Sequence, residues 1–451
     1  MASASESIHG MWSSRLMFIL AATGSAVGVG NIWMFPYMVG VNGGSAFVLA
    51  YLICIAVIGI PVMMAEVLVG REGRQSPINT LISLSKRSGL SPHWRTLGWM
   101  GALTGLLILS FYGVISGWAM SYVVSTVSGD MSGVDASQVN GMFESFTGDV
   151  MQVLVWQGAF MILTIFIVAR GVGDGLEMAV KFLMPALFVL IIALIAYAAT
   201  TDHFGEGFRF LFDFNAADLT SESILAGMGM AFFTLSLGMG TMIAYGAYMP
   251  TDANILSTVG LIAVLDTLVA LMMGMVIFPL VFANGLDVDK GPGLMFITLP
   301  LAFGQMDGGQ FFGCIFFLLV TFAALTSSIS MIEPAVAWVV EKFKFTRAVA
   351  AIVVGGAAWL VGLGSAFSSN IWSDLQILGD RTFFDSVVFL TSNILLPLGG
   401  LIFAIFAGWL LNREIVRGQL EMSGPSLQVW SFLIRFIAPV AILVVFVMEL
   451  S

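Results

Sequence analysis

Charge is scarce in this chain. Only 10% of its 451 residues are Asp, Glu, Lys or Arg, where an average soluble domain has about 25%. With 59% of the residues apolar, too few charges remain to clothe a water-soluble fold of this length, so the soluble classes are excluded. Cysteine is scarcer still. Cys54 and Cys314 each sit inside an apolar run, and two separate core thiols are a better reading than a disulfide. The three histidines, His9, His93 and His203, fall outside the long apolar runs and offer no soft-metal site there. No His-Glu-x-x-His, Gly-x-Ser-x-Gly or phosphate loop occurs, which argues against an intramembrane enzyme. Acidic residues outnumber basic ones, 27 to 17, for a net charge of −10, so nucleic-acid binding has no support. Glycine is abundant, at 50 residues, but without a collagen period, and the apolar content is far too high for disorder.

Long apolar runs remain, and they describe an all-α polytopic protein embedded in a lipid bilayer. A helix of about 20 apolar residues crosses a hydrocarbon core. Eleven such spans are predicted, near 14–38, 45–69, 100–126, 152–169, 178–200, 223–249, 254–283, 310–338, 346–367, 385–412 and 427–450. The first runs on as a full span, with no cleavable leader expected. With the N-terminus inside, thirteen basic residues, including Arg15, Arg71, Arg74, Lys342, Arg347, Arg413 and Arg417, fall on the inner side. Three, Arg209, Lys290 and Arg381, fall outside, and Arg435 lies within the last helix. That bias predicts N-terminus in and C-terminus out. The acidic excess falls mainly on outer loops, for example Asp130, Asp135, Glu144, Asp149, Asp202, Glu206, Asp213 and Asp218. The outer connection 284–309 carries an apolar stretch, Gly291 to Phe303, too short to span and read as re-entrant or a lid.

Two spans are interrupted near mid-membrane. Span 1 reads Thr23-Gly24-Ser25-Ala26-Val27-Gly28-Val29-Gly30-Asn31, and span 6 reads Phe232-Phe233-Thr234-Leu235-Ser236-Leu237-Gly238-Met239-Gly240. Small residues alone would suit a packing seam. Here glycine is combined with hydroxyl and amide groups, and each segment opens one of two five-span halves. Inverted repeats with discontinuous first helices are the architecture of secondary transporters, with freed carbonyls for a cation and helix-end amides for an anion. Ionisable residues inside a membrane are costly and point to function. Glu66, Asp266 and Glu333 lie in spans 2, 7 and 8. Asp266 has no basic neighbour along its helix and reads as a cation ligand. Glu66 and Glu333 read equally well as carboxyls held by helix-end amides or hydroxyls. Span 8 adds the hydroxyls of Thr326, Ser327 and Ser328, which suit a hard cation or simple bonding to the preceding turn.

These motifs, with Phe35-Pro36, Asn42-Gly43-Gly44 and Leu325-Thr326-Ser327-Ser328, resemble the neurotransmitter:sodium symporter family along essentially the whole chain. The resemblance implies a LeuT fold with a 5+5 inverted repeat and helices 1 and 6 unwound. It divides the chain into 1–200 (spans 1–5), 201–413 (spans 6–10) and 414–451 (span 11). It implies two sodium ions as cargo and coupling partners. The first would be held by Ala26, Asn31, Thr234 and Asp266 with the substrate carboxylate, and the second by Gly24, Val27, Ala323, Thr326 and Ser327. An amino-acid substrate would rest its carboxylate on the Val29 and Gly30 amides and the Tyr112 hydroxyl. Its ammonium would meet Ala26, Phe233, Thr234 and Ser236. Ile108, Tyr112, Phe233, Met239, Ser327 and Met331 would line the side-chain pocket.

Gly28 stands where monoamine carriers of the family have an aspartate, so the ligand must bring its own carboxylate. The apolar, methionine-containing pocket predicts hydrophobic amino acids, since methionine repacks around varied shapes. Asp266 stands where many relatives have Asn, and its charge would replace chloride; protonation of that carboxyl on the return step would instead carry a proton back. Gly175 and Pro185, with nine residues between them, match a pattern associated with inward unwinding of span 5. Two departures concern the gates. Met34 replaces the usual arginine opposite Asp385, so an apolar outer closure by Met34 and Phe233 with Tyr112 is expected. His9 replaces the basic residue before Trp12, so an inner latch with Tyr248 and Glu341 is expected to be weaker and pH-sensitive. The expected function is sodium-coupled symport of hydrophobic amino acids in a bacterial inner membrane, without chloride. Carriage of another zwitterion, of betaine or taurine type, and a non-transporting amino-acid sensor are the alternatives. The sequence sets no oligomeric state.

Overall fold

A computed structural model describes residues 7–214, 219–286 and 293–450, with side chains placed to 448. Lys290, Asp218 and the first two residues of the predicted re-entrant stretch lie outside these. Among the described residues the chain is almost entirely helical. In hydrocarbon every backbone N–H and C=O must be satisfied within the segment, which leaves helices as the economical solution. Nine helices among the described residues are long and apolar enough to cross a membrane: Ser45–Gly73, Pro92–Ser128, Val150–Ala169, Val172–Ala198, Ile255–Ala283, Gly309–Phe343, Arg347–Phe367, Phe383–Leu410 and Pro425–Met448. A tenth is the broken pair Arg15–Ala26 and Gly30–Val41, bent by 58°. Two shorter helices, Ser221–Thr234 and Thr241–Ala247, stand where the sixth predicted span falls. The chain is therefore an integral membrane protein.

Polar residues set where the helices start. Ser14, Asn254, Thr346 and Thr382 each accept a backbone N–H of the first turn they precede, which satisfies donors the helix leaves free. Outside the membrane, Asp135 and Gln138 form a reciprocal cap on Ala136–Gly148. The Ser137 hydroxyl and the Gln138 backbone amide both donate to the Asp135 carboxyl and hold it below its ordinary range. From Leu294 the stretch predicted to be re-entrant forms an apolar helix, Leu294–Gln305, that ends two residues beyond it. Leu294, Met295, Phe296 and Leu299 are wholly buried, and the Tyr122 hydroxyl donates to the Phe296 carbonyl at 3.1 Å. Cys54 and Cys314 are both free.

Burial sorts the helices. In span 8, Gly309–Phe343, 83% of the most apolar window is buried within the protein, against 17% in span 11, Pro425–Met448. Span 8 is thus the axis of the bundle and span 11 a lipid-facing outer helix. The breaks of spans 1 and 6 lie against span 8, as the contacts below establish.

Candidate substrate and cation site

Span 1 is helical through Ala26, turns extended at Val27 (φ −69°, ψ 101°), and resumes at Gly30. Span 6 stays helical through Thr234, three residues into the interruption read from the sequence, and resumes at Thr241. Between them Ser236 has φ 54°, and Gly238 and Gly240 have φ 81° and 75°. Left-handed backbone costs a side chain energy that glycine escapes. The serine at 236 therefore needs compensation, and its hydroxyl finds some by donating to the Ser25 carbonyl of the other broken helix at 3.0 Å. The two interruptions are tied directly to each other.

Three side chains from spans 1, 6 and 7 converge on one buried point. The Asn31 amide donates to Asp266 Oδ1 at 2.8 Å and to the Thr234 hydroxyl at 3.0 Å. That hydroxyl donates to Asp266 Oδ2 at 2.9 Å. Asn31 Oδ1 accepts the Gly28 amide at 3.2 Å. Asp266 is wholly inaccessible, and Asn31 and Thr234 are 1% and 2% exposed. Carboxylate, hydroxyl and amide oxygens on three helices are a hard-cation donor set, and a buried carboxylate is costly without a cation beside it.

A second set of oxygens forms on the other side of the span 1 break. The Ser327 hydroxyl lies 3.4, 3.3 and 3.2 Å from the carbonyls of Gly24, Ser25 and Val27. Thr326 Oγ1 donates to the Ala323 carbonyl at 2.9 Å, the back-bonding that its place in a helix allows. The five groups expected around a second cation thus share one neighbourhood. Between the two sets, the Tyr112 hydroxyl accepts the Val29 amide at 3.1 Å. A Cβ on Gly28 would lie 2.8 Å from Ser327 Oγ and 3.0 Å from the Tyr112 oxygen, so any side chain here would displace one of those two hydroxyls. One on Gly105 would meet the Met331 carbonyl at 2.8 Å and the Met239 carbonyl at 3.9 Å. Ile108, one turn before Tyr112 on span 3, is buried, as are Met239 and Met331. The Phe233 ring lies against Gly30, where an added Cβ would sit 2.9 Å from it.

Phe233 also lines a cavity of about 410 Å³ on the far side, together with Met34, Phe111, Ile115, Phe384 and Asp385. Met34 and Asp385 therefore face one space, as the sequence suggested. Asp385 accepts from the Thr382 hydroxyl at 2.7 Å in its own first turn and, among the described residues, is in no ion pair.

The opposite end is bonded shut. Trp12 and Tyr248 are 2% and 1% exposed, and the Trp12 amide donates to the Tyr248 carbonyl at 3.0 Å. His9 Nε2 meets Glu341 at 2.9 Å, and Glu341 also accepts the Ser76 amide at 2.7 Å and the Asn79 amide at 2.6 Å. Tyr248, expected beside Glu341, donates its hydroxyl to Glu333 at 2.6 Å. The same carboxylate takes both terminal nitrogens of Arg347, at 3.0 and 2.5 Å. In sequence Arg347 is one of thirteen inner basic residues; its place as the first residue of span 9, fourteen positions after the intramembrane Glu333, is the local signal of the pair. Ser13 adds a tie to Glu177, between Gly175 and Pro185, through its amide at 2.9 Å and its hydroxyl. Gly175 sits in a widened turn, and span 5 is wound from Met178 straight past Pro185. Of the remaining intramembrane acids, Glu66 accepts the Gly238 amide at 2.8 Å, the amide-held alternative.

A family model described as the sodium:neurotransmitter symporter family matches residues 9–147 and 141–451. The chain belongs to this family. It is accordingly a sodium-dependent transporter of LeuT-like fold and no enzyme. A Bacillus subtilis protein described as an uncharacterized sodium-dependent transporter, YhdH, is 37% identical over 439 residues, covering 96% of this chain and 96% of its own. An uncharacterized sodium-dependent transporter of Haemophilus influenzae is 33% identical over 448 residues, covering 97% and 98%. The crystal structure of MhsT in complex with L-phenylalanine superposes with a TM-score of 0.89 at 42% identity, covering 98% of this chain and 99% of that one. The family expected from the broken-helix motifs is the family found.

Proposed function

We propose that this symporter takes up hydrophobic amino acids with two sodium ions, by alternating access and without chloride. The observation that carries the reading is the buried Asp266–Asn31–Thr234 cluster, set against the break of span 1 where Gly28 leaves no carboxylate. A ligand with its own carboxylate completes the first sodium shell beside Ala26, Asn31, Thr234 and Asp266. It rests there on the Val29 and Gly30 amides and Tyr112. Ala26, Phe233, Thr234 and Ser236 receive the ammonium, and Ile108, Met239 and Met331 receive an apolar side chain. The second sodium takes Gly24, Val27, Ala323, Thr326 and Ser327, which ties span 1 to span 8.

Ion and substrate share ligands, so each raises the other's affinity by the same factor. Inward movement of each positive charge adds about 2.3 kcal/mol per 100 mV of membrane potential. The ionised Asp266 supplies the negative charge beside the first sodium, which makes chloride unnecessary. Release follows when span 5 unwinds between Gly175 and Pro185 and frees the second sodium; unchanged inward sodium release in Pro185→Ala would remove this step. The divisions 1–200, 201–413 and 414–451 fit two halves rocking around the site, in a bacterial inner membrane. MhsT, solved with L-phenylalanine, supports the substrate class.

Equilibrium binding of labelled leucine to the purified protein, in sodium against potassium and in chloride against gluconate, tests this. Sodium-dependent binding that Met, Leu or Trp displaces, equal in the two anions, is expected. A requirement for chloride would overturn the charge assignment. Silence with leucine and rescue by betaine or taurine would overturn the substrate class.

A further inference from the structure

Away from the two helix breaks, a basic cavity of about 340 Å³ lies where span 10 ends and span 11 begins. Its wall includes Gly408, Arg413, Arg417, Phe432, Arg435 and Phe436. Arg413 and Arg417 are one turn apart on the short helix Arg413–Leu420, whose Val416 and Leu420 are buried while both arginines are exposed. Like charges at this spacing repel across a helix face. Arg435 reaches in from span 11. Its Nε donates to the Gly408 carbonyl at 2.5 Å, and its guanidinium stands 5.8 Å from the centre of the Trp409 ring.

Among the described residues none of the three arginines is in an ion pair. Glu414 and Glu421 flank them in sequence but are not among the cavity's lining residues. Three cations around one hollow without an acid fit an anion. Phe432 and Phe436 in the wall of the hollow, and Trp409 packed beside them, present an exposed apolar surface, at 54%, 48% and 54% exposure. Trp409 and Phe432 both pack on Phe436, with ring centres 5.3 and 5.6 Å apart. A free phosphate would use the arginines and leave this ring surface uncovered, whereas a lipid uses both.

We propose that this cavity binds the headgroup of an anionic phospholipid. Arg413 and Arg417 hold the phosphate, and Arg435 approaches it from the membrane side with its stem along Trp409. The acyl chains lie over Phe432 and Phe436. Basic pockets between spans near the inner surface are an established form of lipid recognition. The helix carrying the two arginines also carries Gln419, which accepts from Arg71 Nε at 2.5 Å and donates to Glu72 at 2.5 Å. Arg71 in turn donates to the Ala253 carbonyl at 2.5 Å. A bound lipid therefore braces the inner end of span 2 and the connection after span 6.

The test uses the full chain in detergent, with lipid retention read by native mass spectrometry and stability by thermal unfolding. The probes are phosphatidylglycerol, phosphatidylcholine and inorganic phosphate. Phosphatidylglycerol is expected to be retained and to raise the unfolding temperature more than phosphatidylcholine does. Arg413→Gln with Arg417→Gln, both on an exposed helix face, is expected to weaken phosphatidylglycerol roughly thirty-fold and leave phosphatidylcholine unchanged. Arg435→Gln is expected to act in the same direction; if its lost bond to Gly408 prevents folding, the double variant decides alone. Equal phosphatidylglycerol affinity in the double variant would overturn the proposal. So would stabilisation by inorganic phosphate matching that by the lipid, which would mark a free-anion site.

Discussion

Where Trp12 lies, charged and polar bonds cross several segments: His9 to Glu341, Ser76 and Asn79 to Glu341, Tyr248 and Arg347 to Glu333. Where Met34 lies, methionine and phenylalanine side chains face a cavity of about 410 Å³, and Asp385 spends its bond on its own helix cap. Ions taken from water are expensive to separate once paired, while apolar side chains, methionine above all, slide and repack at low cost. The Trp12 end is thus closed by a network that must be pulled apart before it opens. Movement at the Met34 end would cost no ion pair. In the transport cycle proposed above, binding at the helix breaks, between the two ends, decides which one yields.

The cluster between the two ends is the first place to break the comparison. Asp266→Ala deletes the acceptor of bonds from both Asn31 and Thr234. Bonds to a charged group are worth about 1.5–3 kcal/mol each, so sodium-dependent substrate affinity is expected to fall on the order of a hundredfold or more, read by labelled-leucine binding. Arg347→Ala strands the wholly buried Glu333. A cost of about 3–5 kcal/mol is expected to appear as increased labelling of a cysteine placed beside Trp12; labelling equal to the parent would mean that the network does not hold that end. Gly28→Ala forces a Cβ toward Ser327 and Tyr112. Overpacking of about 1–3 kcal/mol should lower substrate affinity roughly tenfold or more while the protein still folds, which binding and thermal unfolding together check.

Two smaller effects sharpen the contrast. Met34→Arg offers Asp385 a partner across the cavity they share. A solvent-accessible pair is worth about 0.2–1 kcal/mol, so uptake should slow by less than about fivefold, more at low salt than at high salt. His9→Arg puts a permanently charged guanidinium in place of the imidazole that meets Glu341. Labelling of the cysteine beside Trp12 should fall below the parent's, and unchanged labelling would remove His9 from the latch.

Much of this was legible in the sequence because hydrocarbon imposes a one-dimensional code. Apolar runs give the spans, and glycine mixed with Thr, Ser and Asn marks where spans 1 and 6 open. Asp266 stood out as an acid with no cation along its helix. The partners were harder to read, because they are set by packing between distant segments. His9 and Glu341 are separated by 332 positions; only the family resemblance put them together, and nothing local in either does. Arg347 looked like one more inner charge until span 8 brought Glu333 within 2.5 Å of it. The left-handed turn at Ser236 was hidden because its compensation, the Ser25 carbonyl, lies on another helix. Thr326 could be read from sequence either as a cation ligand or as back-bonded, and its bond to Ala323 keeps both oxygens in the same cluster.

The most direct test of sodium-coupled amino-acid transport is uptake of labelled leucine into proteoliposomes under an inward sodium gradient, with potassium as the control. Accumulation above the external concentration, discharged when the sodium gradient is collapsed, is the predicted result. Sodium-dependent binding with no accumulation would contradict the account and leave a sensor in place of a symporter.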